Sequence, residues 1–185
     1  SFGCNAWAKS SNLVNGSLSG AVDKDSEVNT YLNTTYYNSL SNDIKDLIVS
    51  HSFDVGPVEV FNDNLTNQIS SEKSIIWNGK VGMITFSDFL RANSNKNQCG
   101  NFSLIGDNSE VCASTNYLLS LPQESNVWMI SPSYNSEFDG FTFSSSNFGP
   151  GDGAKNINDI LPVVYVNSNI TLSGSGTSAE EYTIN

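Results

Sequence analysis

NVWMISPSYNSEFDGFTFSS, residues 126–145, is the stretch whose reading decides the fold. Val127, Trp128, Met129 and Ile130 follow one another without a polar break and end at Pro132. A short unbroken apolar run closed by proline reads as a buried strand. FDGFTFSS, residues 138–145, then supplies a second run and reads as the hairpin neighbour of the first.

Upstream, SIIWNGKVGMITFSDFL (residues 74–90) carries two apolar runs on either side of Asn78-Gly79, a strong two-residue hairpin signal. HSFDVGPVEVF, from His51, alternates around a Gly-Pro break and reads as strand. FSDFLRANS predicts a helical turn or two, with Ser87 as N-cap and Phe89 and Leu90 facing the core, and STNYLLSL predicts another short turn. Further back, residues 25–53 place Val28, Leu32, Tyr36 and Leu40 at helical spacing. The pattern breaks near SLSND and resumes with Ile44, Leu47 and Ile48 on one face. That predicts two N-terminal helices, the second starting at Ser41 or Asn42. The last segment, DILPVVYVNSNITLSGSGTSAEEYTIN (159–185), keeps β-branched and aromatic residues almost to its end, as a terminus tied into a sheet does. PVVYV and ITL read as closing strands, and the SGSGTS turn returns EYTI beside them. The fold class expected is α+β: two N-terminal helices followed by a mainly antiparallel twisted sheet with long loops.

The 185 residues fit one domain large enough to bury a real core, and the expectation is a single extracellular domain over 1–185. A net charge of −11 repels phosphate backbones and anionic lipid, which argues against nucleic-acid partners. Charged residues are only 15%, so Asn and Ser supply most of the polar surface. No run approaches the length of a transmembrane span, so this chain is not expected to insert into a membrane, and no signal-peptide pattern stands at its start. The reading expects an N-terminal anchoring segment to be missing from this sequence. Of three cysteines, Cys99 and Cys112 flank a short polar stretch and are the expected disulfide, with two reduced, buried thiols as the alternative. Cys4 is left over, either free or joined to a cysteine outside this sequence.

Candidate sites cluster late in the chain. SSSNFGPGDGAKNIN (144–158) reads as a long exposed loop, where function concentrates in compact domains. Tyr134, Phe138, Phe141 and Phe148, with Asn135 and Asn147, mix rigid rings with small polar residues in the manner of a binding surface. Asp152, Asn156, Asn158 and Asp159 offer hard oxygen ligands for a candidate Ca²⁺ site without an EF-hand pattern. An Asn-rich turn bonding its own backbone is the plainer account of the same residues. Trp77 and Trp128 read as core. His51 is the sole histidine and follows the second helix, so it reads as a helix-end residue rather than a catalytic base. Glu137 with Asp139, or Asp152 with Asp159, are the carboxylate pairs that glycosidase chemistry would need.

Taken in order, EVNTYLNTTYYNSLSNDIKDLIVSHSFDVG, WNGKVGMITFSDFLRA, Cys99 and Cys112 followed by STNYL, then WMISPS and the closing LPVVYVNSNITLSGSGTSAEEYTI resemble a poorly characterised class of bacterial extracellular domains. In Firmicutes many of these stand behind a prepilin-type leader and a hydrophobic helix. Where that class carries a Gly-Val-Arg-Pro-Val run, this chain has Ile160 and Leu161 before Pro162 and no arginine, which weakens any role tied to that arginine. The element order is also similar, more loosely, to C-type-lectin-like folds, whose ligands sit on loops between late strands, here 135–158. The resemblance implies a non-enzymatic adhesion or ligand-binding domain on a bacterial surface or type IV pilus. Its partner would be a host or cell-surface protein or glycan. A pilin-like filament subunit that packs against copies of itself is the alternative, and a carbohydrate-active enzyme the third.

Overall fold

The computed structural model describes residues 4–6, 27–58, 64–101, 109–120, 126–132, 139–144, 148–153, 156–175, 180 and 182–184. Helices and largely antiparallel sheets are both present, an α+β fold.

β6 (Val127–Pro132) forms where expected and is buried along its whole length. β7 (Asp139–Phe143) pairs with it antiparallel, Val127 opposite Phe143 and Trp128 opposite Thr142, as the hairpin reading predicts. β8 (Phe148–Gly153) continues the meander beyond β7. On the other side, β9 (Ile157–Asp159) runs parallel to β6 and pairs antiparallel with β1 (Cys4–Ala6). The sheet order is therefore β1-β9-β6-β7-β8. The long exposed loop expected over 144–158 is corrected here: two strands occupy much of it. Gly, Pro and Asn made the segment look irregular, but β7 supplies the ladder that β8 needs, and β1 with β6 supplies the one for β9.

Successive strand residues point to opposite faces, and in this protein both faces of β6 meet a core. Trp128 and Ile130 pack with Val28, Leu32, Phe53, Val55 and Val81. Val127 and Met129 pack instead with Phe86, Phe89, Leu90, Phe141 and Phe143. Neighbouring residues elsewhere divide the same way: Met83 and Ile160 go to the first core, Ile84 and Leu161 to the second. The Ile130 N–H donates to the Ile84 carbonyl at 2.9 Å, which ties the 83–85 segment to the strand that separates the cores. Burying each such side chain contributes about 1.5–3 kcal/mol. Ser131, in the same strand and 0% exposed, has a hydroxyl with no hydrogen-bond partner among the described residues.

The N-terminal helical region is segmented. α1 (Glu27–Thr30) passes into a π-helical turn (Tyr31–Tyr36) and then α2 (Tyr37–Ser39). Inside the π turn, Asn33 grips a neighbouring segment. Its Nδ2 donates to the Val81 carbonyl at 2.9 Å, and its Oδ1 accepts from the Val81 and Lys80 N–H groups at 3.1 and 3.3 Å. Leu40 turns extended, and Ser41, whose Oγ accepts from the Ile44 N–H at 3.4 Å, caps α3 (Asn42–Leu47) as the sequence suggested. Ile44 faces outward, however, and Ile48 already belongs to β2 (Ile48–Val49).

The expected Asn78-Gly79 hairpin is not formed. Both residues lie within β4 (Ile76–Gly79), which pairs with β3 (His51–Asp54), His51 opposite Gly79 and Ser52 opposite Asn78. The glycine answers a packing need instead: a Cβ there would meet the Trp77 ring at 1.9 Å. After Lys80 the chain leaves for a different sheet, where β5 (Val81–Gly82) and β2 flank β10 (Val163–Val166). Among the described residues, β11 (Leu172–Ser173) and β12 (Thr183–Ile184) pair only with each other, and Gly174 follows β11 at φ 106°, so Thr183 and Ile184 return beside Ser173 and Leu172 rather than beside PVVYV.

α4 (Leu65–Glu72) and α5 (Phe86–Arg91) pack against one another. Beyond them α6 (Lys96–Cys99) and α7 (Ser109–Thr115) carry Cys99 and Cys112, whose sulfurs lie 2.06 Å apart, the expected disulfide. Buried Asn93 braces the same corner, donating to the Cys112 carbonyl at 2.7 Å and accepting from the Thr115 hydroxyl at 2.8 Å.

Two outcomes follow for stability. Changing both Cys99 and Cys112 to serine is expected to cost about 3 kcal/mol in chemical denaturation, the loop-closure value for a bridge of this span, and non-reducing peptide mapping should recover the joined pair. Ser131→Ala should leave stability unchanged or raise it by about 1 kcal/mol, because it removes a buried hydroxyl that has nothing to bond; a loss above about 1 kcal/mol would mean the hydroxyl is satisfied.

Candidate functional site

Four elements converge on a cleft of about 180 Å³. β3 brings His51 and Asp54, α4 and its C-cap bring Ile69 and Lys73, α5 brings Ser87, Asp88 and Arg91, and β10 brings Tyr165. Each is placed by the packing just described: β3 and β4 pair over the first core, while α5 enters the second through Phe86, Phe89 and Leu90.

The start of α5 is built tightly. Thr85, not Ser87, is its N-cap: Thr85 Oγ1 accepts from the Asp88 N–H at 3.1 Å while Asp88 Oδ2 accepts from the Thr85 N–H at 3.3 Å. That reciprocal box satisfies two otherwise orphaned amides. It leaves Ser87 one residue into the helix, buried, its hydroxyl 3.0 Å from that of Thr85. Phe89 and Leu90 face the core as expected. The other carboxylate oxygen of Asp88 takes the Arg91 guanidinium at 3.3 Å, an exposed pair one helical turn apart, of a kind worth at most about 1 kcal/mol.

The floor and rim are aromatic. The His51 ring stacks on Tyr165 with centroids 3.3 Å apart and planes within 16°, and Phe53 meets both rings edge-on. His51 therefore belongs to a strand and an aromatic cluster, not to a helix end. Tyr165 remains 41% exposed. Its phenol is held above the ordinary tyrosine range, first by partial burial and then by the negative charges of Asp88 and Asp54, with Arg91 opposing. The same causes identify a mixed electrostatic site in which Tyr165 answers to groups on both α5 and β3. Neither Ser52 nor Ser87 is hydrogen-bonded to His51 among the described residues; Ser52 Oγ lies 2.6 Å from Asn78 Oδ1. The arrangement can hold a polar ligand: an open ring, a carboxylate at Asp54, cations at Lys73 and Arg91.

Behind this wall stands a buried carboxylate. Glu72, 1% exposed, receives the Gln68 Nε2 at 3.0 Å and the Ser87 N–H at 2.8 Å, both on Oε1. Burial raises its proton affinity, reinforced by Asp88 and opposed by the bonds from Ser87 and Gln68.

The residues expected to form a binding surface fare differently. Phe141 is corrected: it is 0% exposed, tilted against Phe86 at 5.4 Å in the second core, because β7 alternation turns it inward. Phe148 and Asp152 have their backbones in β8, opposite Phe143 and Gly140. Tyr134, Asn135, Phe138 and Asn147, like Glu137, lie outside the described residues. Of the expected calcium ligands, Asn156 is exposed just before β9, whereas Asn158 and Asp159 are buried within it, between β1 and β6. Adjacent in an extended strand, these two side chains leave opposite faces and do not converge on one ion. Among the described residues no group of three His, Cys, Asp or Glu is placed to hold a metal, and no helix is long and apolar enough to cross a membrane. Trp128 is core as expected, while Trp77 is only partly covered. Lys73, Arg91, Asp54 and Tyr165 were missed by sequence reasoning. The one signal for them was a tyrosine standing among valines in VVYV.

No protein-family profile matches the chain, and no match is found among curated proteins or solved structures.

Thr85→Ala is expected to destabilise the fold by about 1 kcal/mol through loss of the cap, measured by denaturant unfolding, and to speed hydrogen exchange at the Asp88 amide.

Proposed function

We propose that the chain is a non-enzymatic extracellular adhesion domain, displayed on a bacterial surface or pilus-like filament, that holds a host or cell-surface glycan in the cleft between β3, α4, α5 and β10. The observation that carries this reading is Tyr165, braced from one side by His51 and 41% exposed, beside Asp54, Lys73 and Arg91. A fixed aromatic face with a few convergent polar groups gives contact area at little entropic cost and orients a polyhydroxylated ligand. The non-catalytic part of the reading is supported by His51, whose ring is engaged by Tyr165 and Phe53 rather than poised beside a hydroxyl. The bacterial extracellular class and the C-type-lectin-like topology with two N-terminal helices belong to the same proposal. In their favour, helical segments over 27–47 precede the β6–β9 region, β1 pairs with β9, and a bridged cysteine pair suits an oxidising compartment.

A filament subunit is the second reading. Val164 and Val166, two residues apart on one face of β10, are both exposed, an apolar strip that copies of the chain could cover.

A glycan array probed with the purified chain tests the first reading. Binding is expected, and Tyr165→Ala should weaken it at least about tenfold without altering the unfolding midpoint by more than a few degrees. Binding that survives Tyr165→Ala would place the site elsewhere. Concentration-dependent assembly in sedimentation, lost in Val164→Lys, would favour the filament.

A further inference from the structure

We propose that Glu72 is a positioning residue that makes the cleft proton-sensitive: taking up a proton at this buried carboxyl tightens the contact between α4 and α5 and so raises affinity for whatever the cleft holds. The inference rests on the cleft being the binding site, but its structural half can be read without any ligand.

The geometry is specific. Glu72 is the last residue of α4, and the next residue, Lys73, lines the cleft, as does Ile69 one turn earlier. Its carboxylate reaches across to the Ser87 N–H in the first turn of α5, and Ser87, Asp88 and Arg91 form the facing wall. The Glu72 backbone is anchored separately, its carbonyl accepting from the Gly56 N–H at 2.7 Å. One buried side chain thus joins the two elements that carry opposing walls. The bonds from Gln68 Nε2 and the Ser87 N–H end on Oε1, and the Ser87 hydroxyl also bonds the carboxylate. A proton placed on Oε2 leaves the two Oε1 bonds intact and removes the charge.

An ionised carboxylate this deeply buried is costly, and an opening between α4 and α5 that admits water relieves the cost. The neutral acid has no such incentive. Asp88, on α5, is the charge that acts on Glu72, also against ionisation, and it is itself paired with Arg91. On its own helix the neighbouring charge is Lys73, the 55–58 segment carries no ionisable side chain, and across the cleft β3 brings His51 and Asp54 and β10 brings Tyr165. The sign follows from linkage. The folded state holds the Glu72 proton more tightly than the unfolded or opened chain does. Stability of the closed junction therefore rises as pH falls through the raised folded value and is gained in full below the ordinary carboxylate value.

The test is hydrogen exchange at the Ser87 amide of the full chain at about pH 7.5 and about pH 5.5, with carbon NMR of the Glu72 carboxyl to follow its titration. In the wild type, Ser87 protection is expected to be higher at the lower pH. Glu72→Gln, a neutral mimic, should show high protection at both values. Asp88→Asn should move the Glu72 midpoint downward, and that variant keeps the proposal open to refutation should Glu72→Gln fail to fold. Protection that does not change with pH in the wild type, a Glu72→Gln profile that still follows pH, or lower protection in Glu72→Gln would each overturn it. Glycan affinity measured alongside should rise with the same midpoint in the wild type and stay flat in Glu72→Gln. If Ser87 protection behaves as expected and no glycan binds at either pH, the latch stands and the glycan reading falls.

Discussion

The structure depends on one strand that has no solvent face. β6 is covered on both sides, and its alternation sends Trp128 and Ile130 into one core and Val127 and Met129 into another. A one-residue slip would exchange the two sets and put side chains of different size and shape into each core, so the register is strongly specified. The pairs Met83/Ile84 and Ile160/Leu161 obey the same division. Three separate segments are thereby held to one geometry, and every element lining the cleft belongs to one of those segments or packs against it.

The cleft shows how a rigid interior supports a polar rim. α5 is fixed below by Phe86, Phe89 and Leu90, at its start by the Thr85–Asp88 box, and from behind by Glu72. β3 and β10 bring the His51–Tyr165 stack from different sheets. Most of the groups around the cleft, from His51 and Asp54 on β3 to Tyr165 on β10, are carried by helices and strands rather than by irregular segments.

Sequence reasoning read the β6–β7 hairpin, the cap at Ser41, the core roles of Phe89, Leu90 and Trp128 and the cysteine pair, because each is a local pattern with a local cause. It misread Asn78-Gly79 as a turn, since the same glycine that fits a hairpin also fits beneath the Trp77 ring, and only the pairing with β3 decides between them. It misread 144–158 as one loop because a strand rich in Gly, Pro and Asn is made by its neighbours' hydrogen bonds rather than by its own propensity. Phe141 was assigned to a surface for the same reason: its flanking residues are polar, and its face is set by pairing.

What the sequence determined by itself was the α+β class, the buried central hairpin and the bridged cysteines, all of which follow from hydrophobic period and residue spacing over short windows. The tertiary structure alone decided which strands neighbour one another, that β6 divides two cores, and that Asp54, Lys73, Arg91 and Tyr165 meet around one cleft. The physical reason is distance along the chain. Asp54 and Tyr165 stand 111 positions apart (165 − 54), and a charged or aromatic side chain carries no local mark of the partner that long-range packing will give it.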